Sequence, residues 1–185
     1  MKTSKSIIFT LLFTIILASC NMDKYPYDKI PLESAIESFA DCQKLRTGMY
    51  RDLRIIAVST NVLAAEIQAD GFLPLSYFGN QLGALYRWEA NASESTFSTI
   101  WSNSYLTIAQ CNLLIEGIKR LQTEGKFSDS ELPTVKNYLG EAHLIRAIAY
   151  SILVDKFCAT YDPATAENFY VVPIVDEYSP SADNT

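Results

Sequence analysis

Between residues 71 and 92 the sequence sets Phe72, Tyr77, Phe78, Tyr86 and Trp88 among Asn80, Gln81, Arg87 and Asn91. Aromatic faces offer apolar platforms to the C–H side of a sugar ring, while amide and guanidinium groups hydrogen-bond its hydroxyls. This is the chemistry of a carbohydrate site, with Tyr77, Asn80, Tyr86 and Trp88 as the candidate ligand contacts. It is equally the composition of a loop that packs its own aromatics, and spacing leaves both readings open.

Arg146 falls on the apolar face of a helix-periodic stretch, where a guanidinium needs a partner. Glu66 and Asp70, in a segment expected to pack nearby, are the candidate acids. Either the arginine clamps a ligand carboxylate or the group is an ion pair fixing two helices, and the otherwise apolar face favours the ion pair. His143 is the single histidine and has no second histidine and no serine or cysteine nucleophile motif to work with, so it carries no catalytic argument. Carboxylates are plentiful, but a glycosidase pair is defined by separation in space, and nothing else points to an enzyme. Cys42, Cys111 and Cys158 are odd in number, widely spaced and without a CxxC pattern, which gives neither a disulfide framework nor a metal site. Each lies near an apolar stripe and reads as a small buried hydrophobe. No cofactor is implied.

Helices must position these groups. Ser38-Phe39-Ala40-Asp41 resembles a capping box and opens a helix to about Ile56, with Cys42, Leu45, Met49, Leu53 and Ile56 at the helical period. A shorter helix is expected over Thr60 to Ala69, ended by Asp70-Gly71. Residues 71 to 92 keep no period and form the one long loop. Two strongly periodic stretches follow. Ser95 to Leu121 places Phe97, Trp101, Tyr105, Ile108, Cys111, Ile115 and Ile118 on one face, so Trp101 and Tyr105 read as core. Ser130 to Phe157 does the same with Leu132, Val135, Leu139, Ala142, Ala149, Leu153 and Phe157. Gly125 stops the first, and the short link makes the pair antiparallel neighbours. Val171-Val172-Pro173-Ile174-Val175 either pairs as a short strand or packs on the last helix. The expected fold is all-α, built of tetratricopeptide-like antiparallel helical hairpins with irregular loops.

The chain has 185 residues, 49% of them apolar, enough for one domain with a core. Its 15 basic and 21 acidic residues give a net charge of −6, which argues against a nucleic-acid surface. At the N-terminus Lys2 and Lys5 precede an apolar run from Ile7 to Leu17, too short to span a bilayer and suited to a signal peptide. Leu17-Ala18-Ser19-Cys20 follows and looks like a bacterial lipobox, which makes Cys20 the acylation site. The expected organisation is a lipoprotein signal over residues 1–19, a lipid-anchored tether over 20–37 and a helical domain over 38–185. Several acyl chains on Cys20 would hold the protein to a membrane without crossing it, and Asn21 mildly favours the outer membrane.

Several motifs then line up in order. Tyr25-Pro26-Tyr27-Asp28 follows the lipobox, Gly48-Met49-Tyr50 lies in the first helix, and Ala69-Asp70 closes the second. Trp101, Tyr105, Ile108 and Asn112 resemble a W-x-x-x-Y-x-x-I-x-x-x-N helix. Gly140-Glu141-Ala142, Arg146-Ala147 and Tyr150 resemble a G-E-A-x-x-x-R-A-x-x-Y helix. The chain thus resembles the N-terminal part of the SusD/RagB-type lipoproteins, surface nutrient-binding proteins of Bacteroidota. It departs from them at Val171-Val172-Pro173, where the family has G-V-P, and near Cys158, where the family has glycine. The resemblance implies a surface protein on the outer membrane that captures a glycan or other nutrient and passes it to a SusC-type TonB-dependent transporter, without enzymatic activity. It also places the 71–92 loop near the glycan site. Family members are several times longer, so the expected domain is an incomplete SusD-like one. The alternative is a helical docking module on the transporter without its own complete ligand site.

Overall fold

The computed structural model describes residues 35–58, 60–75, 77, 79–80, 82–89, 95–168 and 171–178. Cys20, the signal segment and most of the tether lie outside the described residues. The elements are α1 (Phe39–Val58), α2 (Thr60–Gln68), the single-turn α3 (Gly83–Tyr86), α4 (Ser95–Thr123), α5 (Leu132–Phe157) and a 3-10 turn at Ala166–Asn168. There is no strand among the described residues, and the all-α fold class holds. No helix among them is long and apolar enough to cross a membrane.

The periodic stripes explain the packing. Buried Cys111, Leu114, Ile115, Ile118 and Leu121 of α4 meet Val135, Tyr138, Ala142 and Ile145 of α5 and Cys42 and Met49 of α1, while Ile108 packs with Ile56, Ala149 and Leu153. The rings of Phe97 and Trp101, near the start of α4, sit 6.5 and 5.0 Å from Phe157 at the end of α5, so the two long helices run antiparallel. Arg46 and Phe39 of α1 meet Glu141 and Tyr138 of α5 in the same chain order, which makes α1 parallel to α5. At the opposite end, Ala64 and Ile67 of α2 share a small core with Leu85 of α3 and Ile100 of α4.

Where α1 and α4 meet, Ile36 is buried directly against Gly117, and a Cβ at that glycine would overlap the Ile36 side chain. Arg46 spans α1 and α5: Nη2 donates to Glu141 Oε1 at 2.8 Å, Nε donates to Oε2, and the guanidinium lies 4.9 and 5.0 Å from the Tyr50 and Tyr138 ring centroids. The fork geometry and two aromatic faces suit arginine and not lysine. Glu141 of the G-E-A motif is therefore a helix clamp. Cys42 and Cys111 are buried, and burial pushes their thiols up to about 11 and about 12, so neither is a thiolate near neutrality.

The Ser38 cap at the start of α1 forms, but the Asp41 carboxylate reaches back to the Glu37 amide, at 3.3 Å, and not to the Ser38 amide of a full capping box. The Ser38 hydroxyl accepts from the Asp41 amide at 3.3 Å and donates to the Asp41 carboxylate at 2.6 Å. The Ser38 hydrogen bond and then Lys44 hold the Asp41 carboxyl down at about 2. Because this lies below the ordinary value of 3.8, the contribution is complete above that value and is lost as pH falls through about 2. Amide exchange at Asp41 and Cys42 should quicken over that window. Ser38→Ala should cost about 1 kcal/mol, as N-caps commonly do, and shift the window upward; an unchanged profile would show the cap to be idle.

Candidate functional site

The segment between α2 and α4 is built from helix ends. The backbones of α2, α3 and α4 each close with the same pair of hydrogen bonds: Gly71 to Glu66 and Asp70 to Ile67, Glu89 to Ala84 and Trp88 to Leu85, Lys126 to Leu121 and Gly125 to Gln122. In each, one residue adopts the left-handed conformation, with φ of 60° at Asp70, 57° at Trp88 and 65° at Gly125. Glycine is the usual occupant of that position because a Cβ crowds the carbonyl there. Gly125 meets the sequence expectation, and at α2 Asp70 takes the left-handed position instead of Gly71. Gly71 is needed for a different reason, since a Cβ on it would stand 3.0 Å from the Glu66 carbonyl oxygen.

Trp88 is the exception that matters. A bulky side chain holds a left-handed backbone, and it is 71% exposed, so core packing does not repay the strain. Arg87 and Glu89 pair across it at 2.7 Å. Asn80 and Leu82 also have positive φ, of 49° and 61°.

The four expected ligand contacts separate into two kinds. Trp88 and Tyr77 are exposed, Tyr77 at 76%. Tyr86 is half-buried and packs on the small core of Ala64, Ile67, Leu85 and Ile100. Asn80 is exposed, but its side chain occupies the space over Gly83 that a Cβ would need, so it also shapes the turn into α3. The loop is therefore in part self-packed and in part presented to solvent. Phe78, Gln81 and Asn91 lie outside the described residues.

The expected pairing of Arg146 with Glu66 or Asp70 does not form among the described residues. Instead Arg146 Nη1 donates to the Oδ1 of Asn112 at 2.8 Å. The physical reason is level along the bundle: α2 packs at the Ile100 end of α4, more than two turns from Asn112. Arg146 Nη2 also lies 3.2 Å from His143 Nδ1, and since arginine only donates, that imidazole nitrogen accepts. Burial, then Arg146 and Lys119, holds the His143 pKa below its ordinary value of 6.5, which favours the neutral ring.

Asn112 entered the sequence reading only as a motif residue, and its role was missed. Fully buried, it accepts from Arg146 and donates through Nδ2 to the Val175 carbonyl at 2.9 Å and the Glu177 carbonyl at 3.4 Å. Three further groups hold the same segment. Tyr105 donates to the Pro173 carbonyl at 2.8 Å, and burial raises its pKa, keeping the phenol a donor. The Tyr150 hydroxyl donates to the Val175 carbonyl at 3.0 Å and accepts the Val175 amide at 2.6 Å. Glu116 accepts the Tyr178 amide. The polar residues of the two helix motifs, Tyr105, Asn112, Arg146 and Tyr150, thus form one ladder that straps residues 173–177 to α4 and α5. Their spacing carried the signal, because each is a polar group set at core period. Beside the strap is an open groove of about 510 Å³, shared by Glu116, Lys119, His143, Arg146, Asp176 and Glu177. No cluster of His, Cys, Asp or Glu among the described residues could hold a metal ion.

A SusD-like family model, described as starch-binding associating with outer membrane, matches residues 22–182. The chain belongs to the SusD-like family. No curated protein and no solved structure matches it.

Proposed function

We propose that this chain is a surface lipoprotein, anchored through Cys20 to the outer membrane, that captures a glycan or other nutrient and passes it to a SusC-type TonB-dependent transporter. Capture is a binding act without covalent chemistry. The observation that carries this reading is Trp88: a large aromatic face held out to solvent on a strained backbone, which only an external partner can use. Tyr77 adds a second exposed ring, while Asn80 and Arg87 supply hydrogen-bonding groups in the same segment. Tyr86 supports the turn from the core side.

The experiment is titration of the chain with maltooligosaccharides and a panel of other neutral glycans by calorimetry, beside Trp88→Ala and Tyr86→Ala. Binding that weakens in Trp88→Ala supports the reading; glycan binding undiminished in both variants removes the platform. A second reading, a docking module without a complete ligand site, is favoured by the exposed apolar side chains Ile55, Val58, Val62 and Leu63 at the α1–α2 corner. It predicts co-purification with the transporter and no glycan binding at all.

A further inference from the structure

We infer that the strapped segment Val171–Glu177 is a strand-addition site that accepts an extended peptide segment of a partner protein, apolar at alternate positions and basic where it meets Asp176 and Glu177. The geometry of the strap carries this. The carbonyls of Pro173, Val175 and Glu177, and the amide of Val175, are all taken up by side chains of α4 and α5. Donors and acceptors of alternate residues on one side are the pattern of a strand paired along a single edge. Here tyrosine hydroxyls and an amide stand in for the neighbouring strand.

The intervening residues Ile174 and Asp176 have no main-chain hydrogen bond among the described residues and form a short open edge, which ends at Tyr178, whose amide is taken by Glu116. Pro173, the one residue without an N–H, sits in the set already engaged with the helices, so its missing donor does not interrupt that edge. The exposed side chains are apolar, with Ile174 at 80% and Val171 at 70%. An extended backbone fixed in advance lowers the ordering cost of adding a strand, and an exposed apolar edge is the usual template for one.

Charge selects the occupant. Asp176 and Glu177 are exposed, and neither forms an ion pair among the described residues, so a basic partner residue would be matched there. A second copy of this chain would bring the same two acids and a net charge of −6 to the edge, which disfavours self-pairing. The inference does not rest on glycan binding.

The test uses the full chain and, as probe, a short blocked peptide of alternating lysine and valine, followed by amide exchange and chemical shifts in NMR. Binding is expected to slow exchange at Ile174 and Asp176 at least ~10-fold, with little change at Val175, whose amide is already bonded. The same peptide N-methylated at alternate residues should lose that protection, as should Ile174→Pro. Asp176→Asn combined with Glu177→Gln should weaken binding and flatten its salt dependence. Protection absent at Ile174 and Asp176, or equal with the N-methylated peptide, overturns the proposal. So does protection that grows with protein concentration in the absence of peptide, which would make a second copy the occupant.

Discussion

Replacing Trp88 with glycine is expected to separate binding from folding, weakening glycan affinity at least ~10-fold while leaving stability unchanged or improved. The left-handed backbone at Trp88 costs a side-chain-bearing residue about 1 kcal/mol or more relative to glycine. The exposed indole recovers little of that by burial. Removing it relieves strain at the end of α3 without opening a cavity, and the melting temperature should hold or rise by about 2–4 °C. The cost falls on the ligand, because truncating an aromatic anchor typically loses about 2 kcal/mol of binding. Thermal melts and glycan titration on one preparation decide the matter. A variant that melts lower would show that Trp88 braces the loop, and one that binds as well as the parent would remove it from the site.

The second large effect is expected at Asn112. Asn112→Leu keeps the volume and deletes every polar contact, leaving Arg146 with His143 alone as side-chain acceptor among the described residues and removing a donor from the Val175 and Glu177 carbonyls. The Val175 carbonyl keeps the Tyr150 hydroxyl, so the loss is a hydrogen bond to a charged group and the donor to the Glu177 carbonyl, about 3 kcal/mol together. That should lower the melting temperature by roughly 6–12 °C. Asn112→Asp distinguishes the two halves of the hub. It keeps a partner for Arg146 but turns a carboxylate on the strap carbonyls, so amide exchange at Val175 should quicken while α4 and α5 remain protected. Equal behaviour of the two variants would show that Arg146 and the strap do not act through this residue.

The two long helices were legible because their apolar residues repeat at the helical period over more than twenty positions, far longer than any competing pattern. The ends of α1, α2 and α4 were readable from Ser38, Asp70-Gly71 and Gly125, which act through local backbone bonds. The short α3 escaped because Gly83–Tyr86 is a single turn, set by Leu85 reaching a core made of α2 and α4. Arg146 was identified as needing a partner but given the wrong one, since the choice among Glu66, Asp70 and Asn112 depends on which helices lie at the same level. The role of residues 171–175 was left between a strand and a packed segment. In the structure they form no strand and are held like a packed tail, because side chains of α4 and α5 take the place of a neighbouring backbone.

By itself the sequence determined the all-α class, the antiparallel pair of long helices and the burial of Cys42 and Cys111. These follow from periodicity and local capping, which act between residues close in the chain. Only the tertiary structure decided that Asn112 is the hub and that Tyr86 faces the core while Trp88 faces solvent. It also showed that one edge of the 173–177 segment is already occupied. Those outcomes depend on hydrogen bonds and contacts between residues tens of positions apart, and chain spacing does not encode which groups meet once the helices have packed.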